Sequence, residues 1–198
     1  IDISRDPRWG RCIEGIGEDP YLGEKMAEAV VKGFQGEDYS APENIAACAK
    51  HYIGYGAVEG GRDYNVAEIT DYTLRNIYLK TFRAAVDAGV ATVMNSFNAV
   101  GGESTASSRY LLTELLKEEL GFEGYIVSDW ATVQRLIDQG VAKNEYDAAM
   151  LAANAGLDMD MVSRCYINNL ESLVNNGLVS EKTIDEAAER IIYIKLLF

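Results

Sequence analysis

Short apolar runs alternate along this chain with longer amphipathic stretches, and this alternation constrains the fold more than any other feature. Residues spaced for one helical face predict helices at about 20–35, 71–88, 108–120, 145–154 and 181–197. Apolar runs predict strands at Asn44–Lys50, Val90–Phe97, Gly124–Asp129 and Ala155–Met161, after a first short strand at Ile1–Ile3. Nearly continuous apolar strands that alternate with helices predict a parallel sheet covered by helices.

Two architectures fit this pattern: an open doubly wound sheet and a (β/α)8 barrel. An open sheet that binds a dinucleotide would carry GxGxxG directly after its first strand, and the sequence has no such motif there. No low-complexity linker divides the chain, so we expect a single domain. In both architectures the functional residues lie just past the carboxyl ends of the strands.

Composition excludes several classes of function. The 31 acidic residues outnumber the 18 basic residues, and the formal net charge of −13 disfavours binding to nucleic acid and to anionic membranes. No apolar stretch approaches the length of a membrane span. The three cysteines form no CxxC pair or Cys/His cluster, so we expect no metal site and small, buried thiol side chains.

Polar and reactive residues stand where the predicted strands end. Lys50-His51 ends one strand, residues 94–98 end the next, and Ser128-Asp129-Trp130 follows the strongest. The cation-rich segment RDPRWGR, residues 5–11, follows Ile1–Ile3. A carboxylate beside aromatic rings and hydrogen-bond donors suits a sugar, which presents both apolar ring faces and hydroxyl groups.

Each of these features also has a structural interpretation. Asp129 is suited to cap a helix that starts near Ala131, and Lys50-His51 to lie in a solvated loop. Arg5–Arg8 is compatible with a charged turn, and Met94 with core packing. The residues by themselves therefore indicate a ligand site on a parallel α/β fold and leave its chemistry open.

Several long motifs carry a resemblance to a known family. RDPRWGRCIEGIGEDPYL, ACAKHYIGYGAVEGGRDYN, VMNSFNAVGGESTASSRYLLTELLKEELGFEGYIVSDW and AGLDMDM occur in this order, and IDEAAERIIYIKLLF ends the chain. Together they resemble glycoside hydrolase family 3, in its β-glucosidase branch, over essentially the whole length. The resemblance implies a (β/α)8 barrel and hydrolysis that retains the anomeric configuration.

The resemblance implies a role for individual residues. Asp129 of the Ser-Asp-Trp motif matches the family's nucleophile, which attacks the anomeric carbon and forms a covalent glycosyl-enzyme. Trp130 matches the aromatic wall of the sugar subsite. Arg11, Lys50 and His51 match the residues that bind the hydroxyls of the terminal sugar, and we expect Arg11 and Lys50 also to hold Asp129 ionised.

Four further positions match the site residues of the family less closely. Met94 matches a methionine of the sugar subsite. Phe97 stands where the family often has a tyrosine close to the nucleophile, so we expect it only to pack in the wall of the site. Arg62 and Asp63, in the loop GAVEGGRDYN, are weaker candidates that border the site.

The acid/base residue is expected outside this sequence. The N-acetylglucosaminidase branch of the family uses a second histidine, and this chain has only His51. The β-glucosidase branch takes a Glu from a C-terminal α/β domain. A complete barrel has about 250 residues, so we expect residues 1–198 to be the later part of a partial TIM-type barrel, with its first strands and the C-terminal domain missing. No metal or organic cofactor is expected, and relatives are often periplasmic or secreted.

The sequence thus predicts an exo-acting retaining β-glycosidase that acts on β-linked glucosides or oligosaccharides. A β-glucosidase is favoured, with a β-xylosidase or arabinofuranosidase as the alternative in the same family. Two other possibilities stay open: an incomplete sugar-binding fragment without turnover, and an aldolase-like barrel that uses Lys50 as a Schiff base.

Overall fold

The computed structural model describes residues 1–198, which form helices around a small parallel sheet. The strands are β1 Cys48–Tyr52, β2 Thr92–Asn95, β3 Ala99–Val100, β4 Glu103–Ser104 and β5 Tyr125–Val127. The α-helices are α1 Pro20–Gln35, α2 Asp71–Thr73, α3 Leu79–Asp87, α4 Thr132–Asp138, α5 Glu145–Ala155, α6 Cys165–Asn175 and α7 Glu181–Leu197. Segments Leu74–Tyr78 and Tyr110–Glu119 are π-helical, and Cys12–Glu14, Tyr55–Ala57 and Glu59–Gly61 are short 3-10 turns.

The main sheet has the strand order β1-β2-β5, with both pairs parallel. A helical connection leads from each strand to the next, as parallel pairing requires. Strands β3 and β4 form a separate antiparallel hairpin. The expected α/β class with a parallel sheet is therefore confirmed.

The two faces of the main sheet differ in what covers them. Ala49, Val93 and Ile126 belong to the main core cluster, which also contains apolar residues of the surrounding helices. The opposite face carries Cys48 and Lys50, and both of these side chains are exposed. The core thus lies between the sheet and the helices and leaves one sheet face open.

Side-chain caps fix the starts of several predicted helices. Asp19 accepts hydrogen bonds from the first backbone N–H groups of α1, and Pro20 follows it at the first helical position. Thr70 caps α2 and Ser180 caps α7 in the same way. The predicted bounds of α1 and α7 agree with the structure. No helix combines the length and the apolar composition needed to cross a bilayer.

Two predicted strands are not regular strands. Ile1–Ile3 lies against β1 but shares one backbone hydrogen bond with it, from the Ile1 amine to the Lys50 carbonyl at 2.6 Å. The Asp2 carboxylate, rather than a backbone carbonyl, accepts the next N–H of β1. Segment Ala155–Met161 forms a single bridge with β5, between Met159 and Val127, and the Asp158 N–H also donates to the Ile126 carbonyl.

The remaining predicted strands are shorter than expected, and β1 starts later and extends past Lys50 to Tyr52. The cysteines are all free, but only Cys165 is buried. Cys12 is half-buried, and Cys48 is exposed because it lies on the open face of the sheet. The expectation of three buried thiols was therefore wrong for two of them.

Candidate active site

The carboxyl ends of the three parallel strands meet at one buried group of polar residues. Asn95, the last residue of β2, accepts a hydrogen bond from the Asp129 backbone N–H through Oδ1 at 3.1 Å. His51, near the end of β1, places Nε2 at 3.5 Å from Asp129 Oδ2. This is the edge of the sheet where parallel α/β folds place their ligands.

The two oxygens of the Asp129 carboxylate have different surroundings. Oδ1 accepts a hydrogen bond from the Trp130 backbone N–H at 2.6 Å. Oδ2 is buried and accepts none. Asp129 does not cap the following helix, because the N-cap of α4 is Ala131, in a left-handed conformation and without a side-chain cap. The helix-cap interpretation of Asp129 is thereby excluded.

An irregularity in β1 brings His51 into the site. Ala49 pairs with Val93 but Tyr52 pairs with Asn95, so β1 contains one more residue than β2 over this stretch. A bulge of this kind re-aims the side chains next to it. His51 is 1% exposed, whereas its neighbour Lys50 points to solvent.

The His51 ring is held on both sides. Nδ1 lies 2.8 Å from Oδ2 of the buried Asp2 carboxylate, and the His51 backbone N–H donates to the same carboxylate. Nε2 lies 3.0 Å from Nη2 of Arg11. Arg11 also donates two hydrogen bonds of 2.8 Å to the Glu14 carboxylate, which lowers the pKa of Glu14 and raises that of Arg11.

The expected cations do not contact Asp129 directly. Arg11 pairs with Glu14, and Lys50 forms no ion pair or side-chain hydrogen bond. Of the basic groups, only the His51 ring lies within 4 Å of the Asp129 carboxylate. Arg11 and Lys50 make no ion pair with this carboxylate, because Glu14 engages Arg11 and the bulge leaves Lys50 on the exposed face; that these cations hold Asp129 ionised stays a prediction.

Aromatic rings form one wall of the site. Trp9, Tyr55, Val58 and Phe97 make a buried cluster separate from the main core. Its centre is Tyr55, whose ring lies 5.2 Å from the His51 ring and 5.8 Å from Phe97. Burial raises the pKa of Tyr55, so its hydroxyl is protonated at neutral pH. Trp130 is 62% exposed beside Asp129 and offers a free indole face.

The less firmly predicted residues lie around this wall. Phe97 is buried in it, as expected of a packing residue. Asp63 accepts a hydrogen bond of 3.0 Å from the Trp9 indole, while Arg62 is exposed and makes no side-chain hydrogen bond. Met94 is half-buried on β2, paired in register with Val127.

Four residues that organise the site are not among those predicted from the sequence: Asp2, Glu14, Tyr55 and Asn95. A signal exists for Asp2, since a carboxylate between two isoleucines in an extended segment must be either exposed or paired. Asn95 lies in the strand-end run 94–98 but was not singled out. Nothing in the sequence distinguishes Glu14 or Tyr55 from other polar or aromatic loop residues.

An α/β domain that gathers a carboxylate, an imidazole and a guanidinium beside an exposed tryptophan has the features of a carbohydrate-binding enzyme site. The chain matches the model of the glycosyl hydrolase family 3 N terminal domain over residues 1–194. It belongs to this family.

Similarity to curated relatives supports this family membership. The chain is 38% identical over 195 residues to the periplasmic beta-glucosidase of Salmonella typhimurium, covering 98% of this chain and 26% of the relative. It is 36% identical to a beta-xylosidase of Formosa agariphila, covering 96% of this chain and 28% of the relative. The chain thus spans about a quarter of the length of the curated relatives it matches.

A solved structure shares the fold closely. The crystal structure of beta-glucosidase from Listeria innocua in complex with glucose superposes with a TM-score of 0.97 at 39% sequence identity. The match covers 99% of this chain and 28% of the other.

Proposed function

We propose that this chain carries the nucleophile and the main sugar-binding residues of a retaining β-glucosidase that releases terminal non-reducing β-D-glucosyl residues. The observation that carries the proposal is the Asp129 carboxylate, with Oδ1 held by a backbone N–H and Oδ2 buried without a donor. An oxygen that accepts no hydrogen bond keeps its lone pairs free, so the carboxylate retains its full nucleophilic character. The names of the relatives support glucose as the sugar.

In the first step, a carboxylate oxygen of Asp129 attacks the anomeric carbon and forms a C–O bond while the bond to the aglycone oxygen breaks. The electron pair of that bond goes to the aglycone oxygen, which takes a proton from a general acid. In the second step, water attacks the anomeric carbon and gives a proton to the same group, now a base. Asp129 then leaves with its electron pair.

The sugar is held by donors and by an aromatic face. Arg11 and Lys50 bind its hydroxyls, and the free Lys50 ammonium suits this role because no carboxylate pairs with it. His51, expected to bind a hydroxyl as well, has both ring nitrogens engaged by Asp2 and Arg11 and orients Arg11 instead. Trp130 stacks against the ring, and Met94 and Phe97 contribute to the apolar wall. Arg62 and Asp63 border the site through the loop that carries them.

We propose that the acid/base is a Glu of a further domain of the same protein. The carboxylates connected to the site are already engaged, Asp2 with His51 and Glu14 with Arg11. We also propose that β1, β2 and β5 are successive strands of a (β/α)8 barrel, since all pair in parallel and helices connect them.

A β-xylosidase is the second candidate, because a beta-xylosidase matches this chain at 36% identity. Xylose lacks the hydroxymethyl group of glucose, so the two sugars differ in the space and contacts they need at one end of the subsite. A comparison of kcat/KM on nitrophenyl β-glucoside and nitrophenyl β-xyloside decides between them, and we expect the glucoside to be preferred at least tenfold.

The mechanism is tested by following the hydrolysis of an aryl β-glucoside by the intact gene product with proton NMR. We expect β-glucose to form first and to mutarotate afterwards. Release of α-glucose first would contradict a covalent intermediate on Asp129. Binding of glucose without any hydrolysis would show a sugar-binding module and contradict the proposed activity.

A further inference from the structure

Asp2 is a buried carboxylate that makes all its side-chain hydrogen bonds to one residue. It is 5% exposed between Ile1 and Ile3. Its oxygens accept from the His51 backbone N–H at 3.3 Å each, and Oδ2 lies 2.8 Å from His51 Nδ1. Burying a carboxylate costs free energy unless its lone pairs are used, and here His51 alone uses them.

The contact with Arg11 on the opposite side of the His51 ring determines which ring nitrogen carries the proton. Nη2 of Arg11 lies 3.0 Å from His51 Nε2, and a guanidinium can only donate hydrogen bonds. His51 Nε2 must therefore accept. An ionised carboxylate can only accept, so the proton of the neutral ring lies on Nδ1 and is donated to Asp2.

This tautomer has a consequence for Asp129. Its Oδ2 lies 3.5 Å from His51 Nε2, and with Nε2 unprotonated no hydrogen bond joins them. If the proton moved to Nε2, the ring would donate to Oδ2 and repel the Arg11 guanidinium. The tautomer thus controls both the free oxygen of Asp129 and the position of Arg11.

We propose that Asp2 is a positioning residue that fixes His51 in the Nδ1–H tautomer and thereby holds Arg11 in place and leaves Asp129 Oδ2 free of donors. The structural part of this proposal depends only on the hydrogen bonds of His51. Its effect on catalysis rests on the proposed function of Asp129 as a nucleophile.

His51 is the only histidine of residues 1–198, and in the intact gene product its ring signals are identified by their loss in a His51→Gln variant. Two-bond proton–nitrogen correlation spectra of ¹⁵N-histidine-labelled protein at pH 7 identify the protonated ring nitrogen. In the wild-type protein we expect a neutral ring protonated at Nδ1. A wild-type ring protonated at Nε2, or at both nitrogens, would overturn the proposal without any variant.

The Asp2→Asn variant should reverse the tautomer. The His51 backbone N–H needs an acceptor, so it selects the amide oxygen of the new side chain and turns the amide NH₂ towards Nδ1. Nδ1 then accepts, and the ring proton moves to Nε2. Asp6→Asn is the matched control, since Asp6 lies in the same segment and pairs with Arg8 instead. We expect the control to keep the wild-type spectrum, and an unchanged tautomer in a folded Asp2→Asn variant would overturn the proposal.

Kinetics of the intact gene product test the catalytic consequence. Asp2→Asn should lower kcat/KM on an aryl β-glucoside about 10–100-fold, the range found when a carboxylate that orients a metal-binding histidine is removed. The loss should lie mainly in the step that forms the glycosyl-enzyme. A reversed tautomer with unchanged kinetics would refute the catalytic effect. A wild-type protein with the predicted tautomer and no glycosidase activity would refute the proposed function alone.

Discussion

Asp129 and His51 show how much of the site depends on single atoms. Asp129 Oδ1 is fixed by the backbone N–H of its own neighbour, and the Asp129 backbone is held by Asn95 of β2. Oδ2 has no donor because the imidazole beside it uses Nε2 to accept from Arg11. The position of the proton on the His51 ring thus determines whether the Asp129 carboxylate, just past the end of β5, has a hydrogen-bond donor at Oδ2.

Replacement of Asp129 by Asn should abolish turnover and preserve the fold. The amide oxygen can still accept from the Trp130 N–H, but the amide nitrogen cannot attack the sugar. We expect kcat to fall by roughly four to six orders of magnitude, as for other covalent nucleophiles. Asp138→Asn, at the exposed end of α4, is the control. Residual turnover above a hundredth of the wild-type rate would exclude Asp129 as the nucleophile.

Removal of the Trp130 ring should weaken substrate binding without unfolding the protein. The side chain is 62% exposed, so Trp130→Ala should change the free energy of unfolding by less than about 0.5 kcal/mol. Loss of an aromatic contact of about 0.5–1.5 kcal/mol predicts a KM roughly 2–10 times higher. Steady-state kinetics and urea unfolding check the two effects, and an unchanged KM would mean that the indole does not contact the sugar.

The sequence predicts part of this site and cannot predict the rest. The strand-end rule finds Lys50, His51 and Asp129 because it depends only on local pattern. The pairing of Asp2 with His51 joins residues 49 positions apart, and no local pattern records it. The pairing of Arg11 with Glu14 spans only three positions, but it depends on a short 3-10 turn that the sequence pattern does not predict.

At the scale of elements, capping residues and glycines determine what the sequence can predict. Helices α1 and α7 begin at side-chain caps and were predicted with the bounds they have. Helix α6 was missed because its N-cap, Arg164, is left-handed and makes no side-chain cap. The β3–β4 hairpin was also missed, although Gly101 and Gly102, both with positive φ, are a recognisable turn signal.

A matched pair of glycine substitutions tests how the first residues dock. A Cβ at Gly56 would lie 2.2 Å from the Ile3 carbonyl oxygen, whereas a Cβ at Gly33 would meet nothing within 4 Å. Gly56→Ala should therefore lower the free energy of unfolding by more than about 2 kcal/mol, since the backbone next to Asp2 must move. Gly33→Ala, inside α1, should raise the free energy of unfolding by about 0.5–1 kcal/mol. Equal effects in thermal unfolding would show that the close approach at Gly56 is not needed.

The whole molecule is held together by one main core and by a buried ionic group at Asp158. The carboxylate is 7% exposed and accepts from Lys117 at 2.8 Å, from Arg190 at 3.1 Å and from the Ile126 backbone N–H at 2.8 Å. It thereby joins the π-helical segment Tyr110–Glu119, strand β5 and helix α7. No single segment of the sequence reveals this connection.

Breaking this ionic group should destabilise the whole fold. Asp158→Asn keeps an acceptor for Ile126 but leaves the Lys117 ammonium buried without its carboxylate, which costs about 3–5 kcal/mol. Lys182→Ala, which removes an exposed pair with Glu186, should cost less than about 1 kcal/mol. Urea unfolding at pH 7 measures both, and similar costs for the two variants would contradict the buried role of Asp158.

The loss of unfolding free energy caused by Asp158→Asn should also depend on pH. Burial lowers the pKa of Lys117 in the wild-type fold, and loss of Asp158 lowers it further. Above that folded-state pKa and below the unfolded value, the unfolded chain binds more protons than the folded one, so stability rises with pH. The difference in unfolding free energy between the wild type and the variant should therefore shrink between pH 7 and pH 9.5. A difference that grows with pH would contradict the assignment of a lowered pKa to Lys117.

Covalent trapping tests the central claim most directly. A 2-deoxy-2-fluoro-β-glucoside with a dinitrophenyl leaving group reacts without a general acid, so it probes the nucleophile alone. After incubation with the intact gene product and proteolysis, mass spectrometry should find one fluoroglucosyl group per chain, on Asp129. A label on any other residue, or inactivation without a covalent sugar, would contradict the account.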